Sequence, residues 1–186
     1  MLEDRTVAFI GGGTMAEAMI RGLLREGLVA PEQIVASGPR QERGQVLVER
    51  YGVRTTTDNV AAARGADVVV LSVKPQVLCH VLRELSGSVR PDALIVSIVA
   101  GAPMATIQNM LAVRAVIRVM PNTPAQIGLG ISVWTATEAT TEAQRSQALA
   151  ILKALGEEVY VTEEYYLDMA TALSGTGPAY AFLLME

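Results

Sequence analysis

Thr6-Val7-Ala8-Phe9-Ile10 runs directly into Gly11-Gly12-Gly13-Thr14-Met15-Ala16, and this stretch decides the fold. The first five residues form a short apolar run without polar alternation, the pattern of a parallel strand buried on both faces. Beyond the glycines, Met15, Met19 and Leu23 recur at spacing four. That spacing predicts one buried face of a helix over residues 14–26, ended by Gly27. Read as G-x-G-x-x-A, the turn uses Gly11 for the tight bend and Gly13 for close approach of a pyrophosphate, while Ala16 keeps helix and strand together. The first N–H groups of the helix lack partners within it and, with the helix dipole, favour a phosphate. A glycine pattern alone is weak. Its position after a strand, opening a helix, in the first βαβ unit separates it from an ordinary turn.

Working outward, further strands are expected at 34–36, near 53–55, and at 67–73, 93–98, 115–119, 129–134 and 157–161. Helices are expected over 40–50 and 102–111, after Pro75, and over 141–155, with a short alanine-rich one capped by Asp58 or Asn59. Strands alternating with helices at short intervals imply an α/β, Rossmann-type, mostly parallel sheet with helices on both faces. The expected domains are residues 1–162, a dinucleotide-binding unit, and residues 163–186, the start of an all-α dimerisation domain.

The composition agrees with that class and excludes others. The chain has 186 residues, 51% hydrophobic and 18% charged, with a net charge of −4. Such a chain has apolar residues enough for a packed core and no basic block for nucleic acid or an anionic membrane. Its one cysteine, Cys79, rules out an intrachain disulfide and is expected to be a small buried apolar residue. Met1-Leu2-Glu3-Asp4-Arg5 is acidic and leads into no long apolar stretch, so no secretory signal is read, and a cytoplasmic location is expected.

The end of the second strand discriminates between dinucleotides. An NAD site carries an acid there for the ribose 2′-hydroxyl. This chain has Ser37-Gly38-Pro39-Arg40 and then Arg43, a hydroxyl and two guanidiniums suited to a 2′-phosphate. NADP(H) is therefore the preferred cofactor and NAD(H) a permitted one. Three more segments stand at expected carboxyl ends of strands, where ligands of parallel sheets bind. They are Ser72-Val73-Lys74-Pro75-Gln76, Val99-Ala100-Gly101 and Met120-Pro121-Asn122-Thr123-Pro124-Ala125. Lys74 is one of only two lysines. A fourth segment, Ser174-Gly175-Thr176-Gly177-Pro178-Ala179-Tyr180, looks like a loop feeding a helix, with hydroxyls placed to cap it.

Taken in order, these segments resemble the pyrroline-5-carboxylate reductase family. The resemblance runs from Phe9-Ile10-Gly11 through Val73-Lys74-Pro75 and Met120-Pro121-Asn122-Thr123-Pro124 to Ser174-Gly175-Thr176-Gly177-Pro178-Ala179-Tyr180. It implies hydride transfer from NAD(P)H to the imine carbon of 1-pyrroline-5-carboxylate, giving L-proline, the last step of proline synthesis. It also implies a homodimer or higher homo-oligomer. By resemblance, cofactor contacts fall on Gly11, Gly12, Gly13, Thr14, Met15, Ala16, Ser37, Asn59, Ser72, Val73, Lys74, Pro75, Val99, Ala100 and Gly101. Ile10, Arg40 and Asn122 join them from their strand ends. The substrate-contact candidates are Glu163, favoured by the resemblance over Glu164, together with Ser174 and Thr176; Thr176 stands where the family usually has serine. The catalytic group is left unassigned, and no metal site is expected, because no His–Cys–Asp spacing occurs and His80 stands apart. The chain stops within an apolar helix, so a truncated chain that binds cofactor but turns over poorly is expected. Two other readings stay open: another NADP-dependent oxidoreductase, of the β-hydroxyacid dehydrogenase or coenzyme F420-dependent kind, and a non-catalytic dinucleotide-binding fragment.

Overall fold

The structure is a computed structural model describing Leu2 and residues 4–186; Met1 and Glu3, part of the acidic start read above, lie outside the described residues. In chain order the elements are β1 (Val7–Ile10), α1 (Thr14–Arg25), β2 (Ile34–Ser37), α2 (Gln41–Tyr51), β3 (Arg54–Thr56), α3 (Asn59–Ala63), β4 (Val68–Leu71) and α4 (Pro75–Leu85). They continue with β5 (Leu94–Ser97), α5 (Met104–Leu111), β6 (Val116–Met120), β7 (Gly130–Ala136), α6 (Glu142–Lys153), β8 (Gly156–Tyr160), α7 (Tyr166–Ala170) and α8 (Gly177–Met185).

The strands form one sheet in the order β3-β2-β1-β4-β5-β6-β7-β8. β1 is central and entirely buried, which is why its sequence shows no alternation. Its side chains still alternate between the two faces. Val7 and Phe9 join one core with Met19, Ile20 and Leu23 of α1, Leu47 of α2 and Ile151 and Leu152 of α6. Ala8 and Ile10 join the other with Leu78, Leu82 and Leu85 of α4 and Ile107 and Leu111 of α5. Each such side chain, fully buried, contributes roughly 1.5–3 kcal/mol relative to exposure.

The sheet is mostly parallel, as expected, with one antiparallel pair whose place the sequence pattern did not give, and one residue, Cys79, departs from the sequence reading. The expected strand at 129–134 is β7, but it pairs antiparallel with β6, Val119 opposite Trp134. A single 3-10 turn over Thr123–Ile127 replaces a crossover helix, so the chain reverses instead of returning to the same edge. Cys79 is exposed on α4, because the buried stripe of that helix is Leu78, Val81, Leu82 and Leu85. No helix among the described residues is long and apolar enough to cross a membrane.

Candidate dinucleotide site

The strand order reverses between β2 and β4 on either side of β1, a switch point that opens a crevice at the carboxyl ends. The glycine turn lies there. Gly11 has φ +106°, and a Cβ on it would lie 2.7 Å from the carbonyl oxygen of Ser72, so no other residue fits. Ser72 pins the bend from β4, its hydroxyl donating to the carbonyls of Gly11 at 2.8 Å and Ile10 at 3.2 Å. The amides of Gly11 and Gly12 both donate to the carbonyl of Ser37 at the end of β2. Gly13, which precedes α1, is exposed, and a Cβ on it would meet nothing within 4 Å. Space is thus kept clear where the helix presents its free N–H groups, beside the exposed Thr14, while Ala16 is buried against the sheet.

The cleft at this point, about 240 Å³, is lined by the glycine turn, Ser37 to Arg40, Arg43, Val73 and Lys74. Arg40 and Lys74 are exposed and have no side-chain partner among the described residues. Two cations flanking an open helix start fit the charge of a dinucleotide diphosphate and a further phosphate.

Arg43 is different. Its Nε donates to the carbonyl of Gly12 at 2.8 Å, and its terminal nitrogen bonds the carbonyl of Gly13 and the carboxylate of Glu17. Arg43, read as a second guanidinium for a 2′-phosphate, also lines the cleft, but its side chain is engaged by the carbonyls of the turn and by Glu17, so it clamps the turn. Glu17 also accepts from Arg50 and Tyr51. Burial pushes the Glu17 carboxyl upward, but hydrogen bonds from Arg43, Tyr51 and Arg50 outweigh this and hold it below the ordinary value near 4.5. Burial, together with the same contact, pushes the Tyr51 phenol up.

Ser37 is buried, its hydroxyl donating to Oδ1 of Asn59 at 2.8 Å. Asn59 in turn donates to Glu84 of α4 at 2.8 Å, and Glu84 pairs with His80 at 3.0 Å. Asp58 caps α3 through the amide of Ala61, leaving Asn59 to this polar chain. His80, read as standing apart, has a partner after all.

Val99, Ala100 and Gly101 follow β5 along the same carboxyl edge, outside the cleft but beside β4. Asn122 lies past β6, where its Oδ1 accepts from the amide of Ile131 at 2.9 Å and shapes the reversal into β7. Glu163 is exposed, whereas Glu164 turns inward onto the Met104 amide and Arg118. The expectation that hydroxyls cap the last helix is corrected. Ser174 donates to the carbonyl of Ala170 and Thr176 to that of Thr171, across a single π turn over Thr171–Gly175.

The sequence reading passed over Arg118, which is 4% exposed within β6. Its signal was present: a guanidinium inside Val116-Ile117-Arg118-Val119-Met120 must find partners, since an unpaired buried charge costs several kcal/mol, of order ~3–5 when a partner is removed. Glu17 was missed for a related reason: its partners arrive from α2 through space.

A family model described as NADP oxidoreductase, coenzyme F420-dependent, matches residues 6–101, the half that carries the glycine turn. A pyrroline-5-carboxylate reductase from Vibrio alginolyticus is 40% identical over 186 residues, covering 100% of this chain and 68% of that protein. The solved pyrroline-5-carboxylate reductase of Coxiella burnetii superposes with a TM-score of 0.90 at 35% identity, over 97% of this chain and 67% of that one. The Plasmodium falciparum pyrroline carboxylate reductase, solved with NADP bound, gives 0.85 at 26%, over 98% and 66%. The family-model match ends with the dinucleotide-binding half, whereas the reductase likeness continues through β6 to α8. The chain belongs to the pyrroline-5-carboxylate reductase family, the nicotinamide-dinucleotide-dependent oxidoreductases of proline biosynthesis.

Proposed function

We propose that the chain reduces 1-pyrroline-5-carboxylate with NADPH in preference to NADH, binding the dinucleotide across the carboxyl ends of β1, β2, β4 and β5. The observation that carries the preference is Arg40, an exposed guanidinium without a side-chain partner among the described residues, where an NAD site would hold an acid. The bound nicotinamide supplies the hydride. Gly12, Gly13 and Thr14 give the pyrophosphate backbone N–H groups and room, and Lys74 adds charge. Ser37 and Asn59 keep the adenosine side polar, although their side chains are already hydrogen-bonded to each other. Val99, Ala100 and Gly101 offer small surfaces against which a flat ring can lie.

Residues 163–186 are read as the start of a separate helical domain, with Glu163, Ser174 and Thr176 on the substrate side. Both hydroxyls now donate to carbonyls of their own helix, so each must rotate its O–H to meet a substrate carboxylate. Tyr180, Phe182, Leu183, Leu184 and Met185 are exposed all round α8, which supports burial of this helix among other helices, as in the homo-oligomer that the resemblance implies.

The test is reduction of pyrroline-5-carboxylate with L-proline quantified, each cofactor titrated separately. Proline formation with the lower KM for NADPH is expected. Cofactor binding without proline would leave a dinucleotide-binding module, and equal KM values would remove the preference.

A further inference from the structure

Arg118 lies on β6, away from the glycine turn, and the hydride chemistry proposed above makes no use of it. Its side chain, 5% exposed, forks between two carboxylates of the segment that follows the sheet. One terminal nitrogen donates to Oε1 of Glu164 at 3.1 Å, the other to Oδ1 of Asp168 on α7 at 2.7 Å. The same Oε1 accepts the backbone N–H of Met104 at 2.8 Å. Met104 opens α5, where the N–H groups have no partner within the helix, so Glu164 fixes the end of loop 99–103 from another element. On the far side, Gly175 packs on Met120 at the end of β6 so closely that a Cβ there would lie 2.8 Å from the methionine methyl.

We infer that Arg118 is a positioning residue, which through Glu164 and Asp168 locks the segment bearing Ser174 and Thr176 onto the loop Val99-Ala100-Gly101. This rests on the proposed function, in which that loop faces the nicotinamide and the two hydroxyls face the substrate. The two halves of the site stand on different parts of the chain, and hydride transfer requires reacting atoms about 3–3.5 Å apart. A planar fork can hold two carboxylates at a set separation; a lysine ammonium in its place cannot. The cofactor's phosphate contacts lie on β1, β2 and β4, so loosening the fork leaves them in place.

The test uses Glu164→Gln, Glu164→Ala and Asp168→Asn, which alter partly exposed acids, beside Arg118→Lys. Steady-state kinetics, NADPH titration and amide hydrogen exchange at Met104 are measured on each. The expected result is kcat lowered by about 10- to 100-fold in Glu164→Ala and Arg118→Lys, a misplacement of roughly an ångström being enough for that, with NADPH affinity, carried mainly by the phosphate contacts, falling far less than kcat. Glu164→Gln, which keeps an acceptor for the amide and loses the ion pair, should fall between Glu164→Ala and the parent. Met104 exchange should quicken at least about tenfold in Glu164→Ala and stay at the parent rate in Asp168→Asn, where its acceptor remains. Parental kinetics in all four variants, or Met104 exchange unmoved in Glu164→Ala, overturns the inference. Should the parent itself form no proline, the proposed function fails, and Met104 exchange alone decides whether the fork holds the loop.

Discussion

Arg40 and Arg43 stand three residues apart, and the structure gives them opposite tasks, so alanine substitutions at the two should part company. Arg40 is exposed and lines the cleft beside Gly38 and Lys74. A charge-assisted hydrogen bond contributes about 1.5–3 kcal/mol, and tenfold in affinity corresponds to about 1.4 kcal/mol. Arg40→Ala should therefore weaken NADPH by about 10- to 100-fold, toward the lower figure because water screens an exposed pair. NADH, which lacks the 2′-phosphate, should lose almost nothing. Arg43 holds the carbonyls of Gly12 and Gly13, with Glu17 behind it. Arg43→Ala should loosen the pyrophosphate turn and weaken NADPH and NADH by the same factor. Calorimetric titration of parent and both variants with both cofactors gives the six values needed. Equal losses for the two cofactors in Arg40→Ala, or a loss confined to NADPH in Arg43→Ala, would refute the assignment.

The two glycines of the turn should also separate, as thermal melts beside NADPH titration will show. Gly13→Val should abolish dinucleotide binding without lowering the melting temperature, because the space its Cβ enters holds no protein atom within 4 Å. Gly11→Ala should lower the melting temperature, since its Cβ meets the Ser72 carbonyl at 2.7 Å with φ at +106°. Glu17 should leave a mark on acid stability. Its folded-state carboxyl lies below the ordinary value near 4.5, so its contribution is complete above that pH and is lost as pH falls through the depressed value. Denaturation followed from neutral pH downward should show a fall below about pH 4.5 that is shallower in Glu17→Gln; identical pH profiles would remove Glu17 from the account.

Much of this was legible in the chain, because the decisive signals were local. The run Val7-Ala8-Phe9-Ile10, the glycines after it and Pro75 at the first turn of α4 each carry their structural meaning within a few residues. What escaped depends on contacts between elements distant in sequence. Nothing near Gly130-Ile131-Ser132 tells that this strand runs antiparallel, since direction is set by the short 3-10 reversal and the ladder to β6. Arg43 looked like a phosphate ligand because its position at the start of α2 is right. Its orientation is decided by Glu17, 26 residues earlier. Glu163 and Glu164 are adjacent and chemically alike; only the packing of the chain after β8 onto Met104 and Arg118 turns the second inward. Cys79 misled for the opposite reason: its residue type favours burial, but its place on the helix, beside the stripe of Leu78 and Leu82, exposes it.

The central claim is that this chain brings the reduced nicotinamide and the pyrroline ring together for direct hydride transfer. A single-turnover experiment tests it most directly: protein in excess over NADPH deuterated on the transferred side of C4, pyrroline-5-carboxylate added, and proline analysed by mass spectrometry and NMR. Enzyme in excess lets even slow turnover register. The account predicts one L-proline per NADPH consumed, with the deuterium at C5. NADPH consumed without labelled proline, or no consumption while the dinucleotide is demonstrably bound, would contradict it.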